Sequence, residues 1–154
     1  MKTTRTKTPR KTKKKAIALS KKRYDKACMY VAKLIVHARD KEVCQRCWKT
    51  SNLQCSHILS DGRDTRMSVM SDNMKLLCYN CHLSRWHKEP TETKDWVEIW
   101  KPWLLQKLKD QKLSHEKWTI HISRREKRLN DLIAEYKTYW KNITMDDILL
   151  IKFK

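Results

Sequence analysis

Two C-x-x-C pairs, Cys44/Cys47 in "CQRC" and Cys78/Cys81 in "CYNC", lie thirty residues apart in a chain of 154. Each pair offers two thiolates from one tight turn, and two such turns supply the four ligands of a tetrahedral zinc. The segment between them is polar, contains the chain's only glycine, Gly62 in "SDGRD", and has too few apolar residues to keep a shape by burial. A structural Zn²⁺ clamp is therefore the constraint that decides the local fold. Two copies around a short polar insert argue against a redox use of the C-x-x-C pattern. Cys55 lies inside the clamp without a partner at ligand spacing and is expected to remain free.

The partner class follows from charge. The chain has 36 Lys/Arg against 17 acidic residues, a formal net charge of +19. Residues 1–23 hold eleven of the cations and no acid, which leaves +8 on the remainder. Neutralising phosphates releases condensed counterions, so a polyanion such as DNA is the expected partner of both parts. No apolar run approaches the roughly 20 residues that span a bilayer. The N-terminus, "MKTTRTKTPRKTKKK", lacks the apolar stretch of a secretory leader. No membrane partner is expected. An intracellular, cytoplasmic location follows, where thiols stay reduced and paired cysteines bind metal.

Four regions are expected. Residues 1–15 read as a basic disordered arm in which Lys11, Lys13, Lys14 and Lys15 contact phosphate. In 16–40, Ile17, Tyr24, Cys28, Val31 and Ile35 share one helical face, which makes an N-terminal helix with Cys28 as a small core residue. The cysteine module occupies 42–90, with two brief strands and a helix starting near Asn80–His82. Residues 91–154 are a helical C-terminal region. There "TETKDWVEIW" starts a helix with a Thr or Glu cap, and Pro102 kinks or ends it. Trp96, Trp100 and Trp103 read as core. Trp118, Ile122, Leu129, Ile133, Tyr136 and Trp140 predict one long amphipathic helix over 115–140, packed on the domain or on a second subunit, so a homodimer is possible.

The clamp encloses more than a zinc ribbon requires: Ser56-His57 in "CSHILS", then Asn73 in "SDNMKLLC", then His82 directly after the last cysteine. This His, Asn, His order resembles the HNH endonuclease family. More narrowly, "CSHILSDGR" with "NMKLLCYNCHLSRWHKEPTETKDW" is similar to the phage recombination nucleases of the NinG/Rap type, over roughly residues 42–100. The resemblance implies a mostly α chain with a small ββα-metal (HNH) zinc finger inserted between helices, an α+β fold. It assigns His57 as general base, Asn73 as the residue that steadies it, and His82 as ligand to a catalytic Mg²⁺ or Mn²⁺. Such chemistry suits phosphodiester hydrolysis: an imidazole of ordinary pKa, about 6.5, accepts the proton of water near neutral pH. A divalent cation takes up the charge on the leaving oxygen.

One departure stands out. Many family members carry an Asp before the base as second metal ligand, and here that position is Ser56. The replacement is expected from His87 or from a loop carboxylate, Asp61, Asp64 or Asp72. His82 and His87 are five residues apart, about 140° round an ideal α-helix, so a shared ion needs the helix bent or cut short. Arg63, Arg66 and Arg85 flank the site as phosphate contacts. His37, His115 and His121 have no partner at ligand spacing and read as ordinary surface or helix residues.

The expected activity is metal-dependent cleavage of duplex or branched DNA, one strand per active site. A monomer would nick, and a dimer could cut both strands or resolve a junction. The alternative is a non-catalytic zinc-ribbon DNA-binding protein. An RNA-binding factor is the weaker rival, because no RNA-specific module is visible.

Overall fold

A computed structural model describes residues 21–59, 65–88, 90–113, 122–139, 143–144 and 147–148. The first helix, α1 (Lys21–Arg39), buries Tyr24, Ala27, Cys28, Val31, Ala32, Ile35 and Val36, a stripe at three- and four-residue intervals. Cys28 is 1% exposed in this stripe, and burial pushes its thiol up to about 12. It is a core residue, as the periodicity predicts.

Two five-residue strands follow, β1 (Leu53–His57) and β2 (Met74–Cys78), paired antiparallel with Leu53 opposite Cys78 and His57 opposite Met74. Between them come a single helical turn, α2 (Thr65–Ser68), and a 3₁₀ turn at Ser71–Asn73. Directly opposed residues of an antiparallel pair share a face. The register therefore puts Gln54, Ser56, Lys75 and Leu77 on one side of the ribbon, and Met74 and Leu76 on the other. Met74 and Leu76 join the α1 core, whereas Leu77 joins a second core around the cysteines. A two-stranded ribbon is marginal by itself, and here each face has its own apolar backing.

After β2 the chain enters a π-helical turn, Cys81–Trp86, and then α3 (Pro90–Trp100) and α4 (Pro102–Leu113). Prolines open both helices, the position where a missing N–H costs nothing. Pro102 thus ends one helix and starts the next. Helix α3 begins at Pro90, so Thr91 and Glu92 occupy positions in its first turn and not the residue before it, the cap position expected of them. Helix α4 was not foreseen from the periodicity; it buries Leu104, Leu105 and Leu108 against Met67, Leu77 and their neighbours. The core reading of the tryptophans holds for half-buried Trp96 but fails for Trp103, which is 61% exposed. Its neighbours Leu104 and Leu105 take the inward face instead.

The last long helix, α5 (Ile122–Lys137), packs Leu129, Leu132 and Ile133 on α1. Asp25 and Arg125 pair at 2.8 Å across the same contact. Residues 114–121 and 140 lie outside the described residues, so the expected span of 115–140 is seen over 122–137. The expected helix over 16–40 is seen over 21–39, and the arm at 1–15 lies outside the described residues. The result is a mostly helical α+β chain with one small antiparallel ribbon. Among the described residues no helix is long and apolar enough to cross a membrane.

Candidate metal centre and active site

The four clamp cysteines converge: their Sγ atoms all lie within 4.8 Å of one another. Both knuckles are built by backbone hydrogen bonds. Trp48 N–H donates to Cys44 carbonyl at 2.9 Å, Cys44 N–H to Lys49 carbonyl at 2.8 Å, and Gln45 N–H to Leu76 carbonyl at 2.9 Å. The last bond ties the first knuckle to β2, and Tyr79 N–H to Asn52 carbonyl at 2.9 Å ties the second to the start of β1. Trp48 and Asn52 take left-handed conformations, φ 64° and 52°, where most chains would place glycine.

Four thiols this close cannot all ionise unaided. Burial opposes the Cys44 thiolate, but backbone N–H groups of the knuckles outweigh it and bring Cys44 down to about 7. Burial and the neighbouring sulfurs raise Cys81 far above the ordinary thiol range. A divalent cation reverses that repulsion and deprotonates its thiols outright. The all-sulfur donor set and its compactness fit a tetrahedral ion such as zinc. Cys55 stands apart as expected; its half-buried thiol is raised to about 11, by burial first.

Within this frame β1 ends at His57. The His57 Nε2 lies 3.0 Å from the Ser68 carbonyl. A carbonyl only accepts, so Nε2 carries the proton and Nδ1 is the basic nitrogen of the neutral ring. Asn73, 0% exposed, bonds to backbone on both sides of the loop that follows. Its Oδ1 accepts from Leu59 N–H at 2.9 Å, and its Nδ2 donates to Leu59 and Met67 carbonyls at 3.1 and 3.0 Å. Asn73 thus fixes the chain two residues after His57 and the α2 turn that holds the His57 ring.

The π-turn resolves the spacing of the two later histidines. Its closing bond runs from His87 N–H to His82 carbonyl at 3.2 Å, an i→i+5 link that stacks residues five apart. The two rings stand 4.6 Å apart at their centroids, with Nε2 to Nε2 at 2.9 Å. The 140° separation of an ideal α-helix is removed by the change of helix type. Gln54, which the sequence did not single out, accepts from His82 Nδ1–H at 2.6 Å. That bond leaves the His82 Nε2 lone pair directed at His87 and fixes the tautomer, as an outer partner does for a metal-bound histidine. Burial, then charge on His87 and on His57, hold His82 below the ordinary histidine value.

The spacing of the two imidazole nitrogens is compatible with neighbouring positions on one divalent cation. Cis ligands of an octahedral ion with bonds of about 2.1 Å sit about 3 Å apart, close to the observed 2.9 Å. Among the described residues, the Oγ of Ser56, 1% exposed on the Gln54 side of the ribbon, has no hydrogen-bond partner. Of the expected substitute carboxylates, Asp72 is paired with Lys107 at 2.7 Å, and Asp61 and Asp64 lie outside the described residues.

Arg66 is half-buried on α2. Arg63, Lys11, Lys13, Lys14, Lys15, His115 and His121 lie outside the described residues, and so does the side chain of Arg85. His37 pairs with Glu42 at 2.8 Å, away from the site. No protein-family model, curated protein or solved structure matches the chain.

Proposed function

We propose that the chain is a metal-dependent DNA endonuclease of the HNH type, with His57 as general base and His82 and His87 as ligands of one Mg²⁺ or Mn²⁺. The supporting observation is the convergence of His82 and His87 on one π-turn, coupled electrostatically to a His57 whose Nε2 is committed to Ser68. A purely structural zinc ribbon has no need of such a pair.

His57 Nδ1 takes a proton from water, whose oxygen forms a bond to phosphorus while the P–O3′ bond breaks and the leaving O3′ takes up a proton from solvent. The products are a 3′-hydroxyl and a 5′-phosphate. When bound, the cation supplies Lewis-acid stabilisation of the charge on the leaving oxygen. Asn73 and the Ser68 carbonyl hold the base, Gln54 holds His82, and the cysteine cluster holds the ribbon and the π-turn in register. The basic surface supplies substrate affinity.

The test is nicking of supercoiled plasmid with and without Mg²⁺ or Mn²⁺, alongside a binding titration at matched salt. His57→Ala is expected to cut about 10²–10⁴-fold more slowly, the worth of a positioned base, with DNA affinity unchanged. Wild-type protein that binds duplex and branched DNA yet never cuts either would leave the non-catalytic zinc-ribbon reading, which the Ser at position 56 favours.

A further inference from the structure

Beside the first knuckle lies a pocket of about 380 Å³, which the catalytic reading does not use. Arg39, Arg46, Lys75 and Lys101 bring four cations to its lining, against one carboxylate, Asp40. Asp40 is already engaged: Arg39 holds both its oxygens at 2.8 and 3.1 Å, and Leu76 N–H donates to it at 2.9 Å. Lys75 is 6% exposed, and its Nζ stands 3.7 Å from Asp40 Oδ1. Burial, then the charge of Arg39, push Lys75 down to about 8. Lys75 is therefore short of compensating negative charge. Burying a lysine this poorly compensated is costly, and a bound anion would relieve it.

The rest of the lining is aromatic. Trp96 is half-buried within, and Trp48 stands at the rim with 72% of its surface exposed. Trp48 holds a left-handed φ of 64°, a conformation that is an outlier for a bulky residue and gathers at ligand sites. An indole presented to solvent beside buried cations is the pairing that takes a base on its face and a phosphate at its edge. The volume lies within the ordinary range for small-molecule sites, and paired bases inside a duplex cannot reach an indole this way.

We infer that this pocket binds one unpaired nucleotide of DNA, its base stacked on Trp48 and its phosphate held by Lys75 and Lys101. Resting on the endonuclease reading, this makes the pocket a selector. Lys75 shares its ribbon face with Gln54 and Ser56, so a strand anchored there runs along the same face as the His82 contact. The protein would then favour DNA in which a strand leaves the duplex.

The experiment uses the full chain loaded with zinc and no other divalent cation, so binding is read without cleavage. Two fluorescein-labelled probes are compared at one salt: a blunt 20-base-pair duplex, and the same duplex with a four-thymidine single-stranded extension. Wild-type protein should bind the extended probe about tenfold more tightly. Trp48→Ala, at a solvent-exposed position that leaves the core intact, should lose that preference and keep blunt-duplex affinity. Lys75→Met should lose it too, and the salt slope on the extended probe should fall by about one phosphate contact. Plasmid nicking is read separately on the wild-type protein with Mg²⁺ or Mn²⁺, so a lost probe preference and an absent cleavage activity are distinct results, which separates failure of the pocket from failure of the nuclease reading. Equal affinity of wild-type protein for both probes, or a preference that survives in Trp48→Ala, would overturn the inference.

Discussion

Replacing Asn73 by Ala tests whether the base is held through the backbone. The substitution strands three groups: Leu59 N–H, Leu59 carbonyl and Met67 carbonyl. A buried group left unsatisfied costs about 1–3 kcal/mol. Leu59 is half-buried, so water can reach part of its loss, whereas Met67 is 1% exposed and its carbonyl bears the full cost. The sum is about 3–5 kcal/mol, within the roughly 5–15 kcal/mol that holds a domain together. With a urea m-value of about 2 kcal/mol/M, the midpoint should fall by about 2 M in the zinc-loaded protein. Nicking should fall as well, by no more than His57→Ala alone, because Asn73 acts only through that ring. In His57→Ala the further change Asn73→Ala should then cost stability but no additional activity, a non-additivity that marks a shared role. An unchanged midpoint with lost cleavage would refute the reasoning, since Asn73 would then act on substrate directly.

The remaining expectations are simpler. One tightly held zinc per chain should be found by native mass spectrometry, and Cys44→Ser or Cys78→Ser should cost folding as well as activity. His82→Ala should abolish nicking by loss of the divalent cation, with partial rescue by raised Mn²⁺; His57→Ala should show none. Imidazole donors favour Mn²⁺ over Mg²⁺, so Mn²⁺ should support faster wild-type cleavage, and His87→Ala should narrow that difference. Because the folded state holds His82 below the ordinary value, the unfolded chain takes up that proton first as pH falls. Stability should therefore decline with pH from about 6.5 down to the His82 pKa, and the decline should flatten in His82→Gln, read by urea midpoints at stepped pH. Deleting residues 1–15 should weaken duplex binding and reduce its salt dependence.

The parts of this molecule legible in the sequence are those set by local chemistry. The cysteine spacing announced the cluster, the Tyr24–Ile35 part of the stripe announced α1, and β1 ends on the histidine assigned as base. What escaped depends on geometry that spacing does not carry. A separation of five positions between His82 and His87 means opposite sides of an α-turn but the same side of a π-turn, and nothing in "HLSRWH" selects between them. Gln54 and Lys75 are ordinary polar letters until the strand register puts them on one face. Trp103 looked like core because its spacing matched Trp96 and Trp100, but the helix restarts at Pro102 and changes phase. Helix α4 was hidden for the same reason.

Cys81 and His82 are neighbours, so the sulfur cluster and the histidine pair are joined by a single peptide bond. On the reading proposed above, a chelator that empties the sulfur cluster should also unmoor the histidine pair, so the second cation is expected to bind only to protein whose first site is filled. A preparation stripped of all metal and returned only to Mn²⁺ should therefore look inert for a reason unrelated to catalysis. The nicking assay that tests the proposed function should therefore start from zinc-loaded protein, with Mg²⁺ or Mn²⁺ added last.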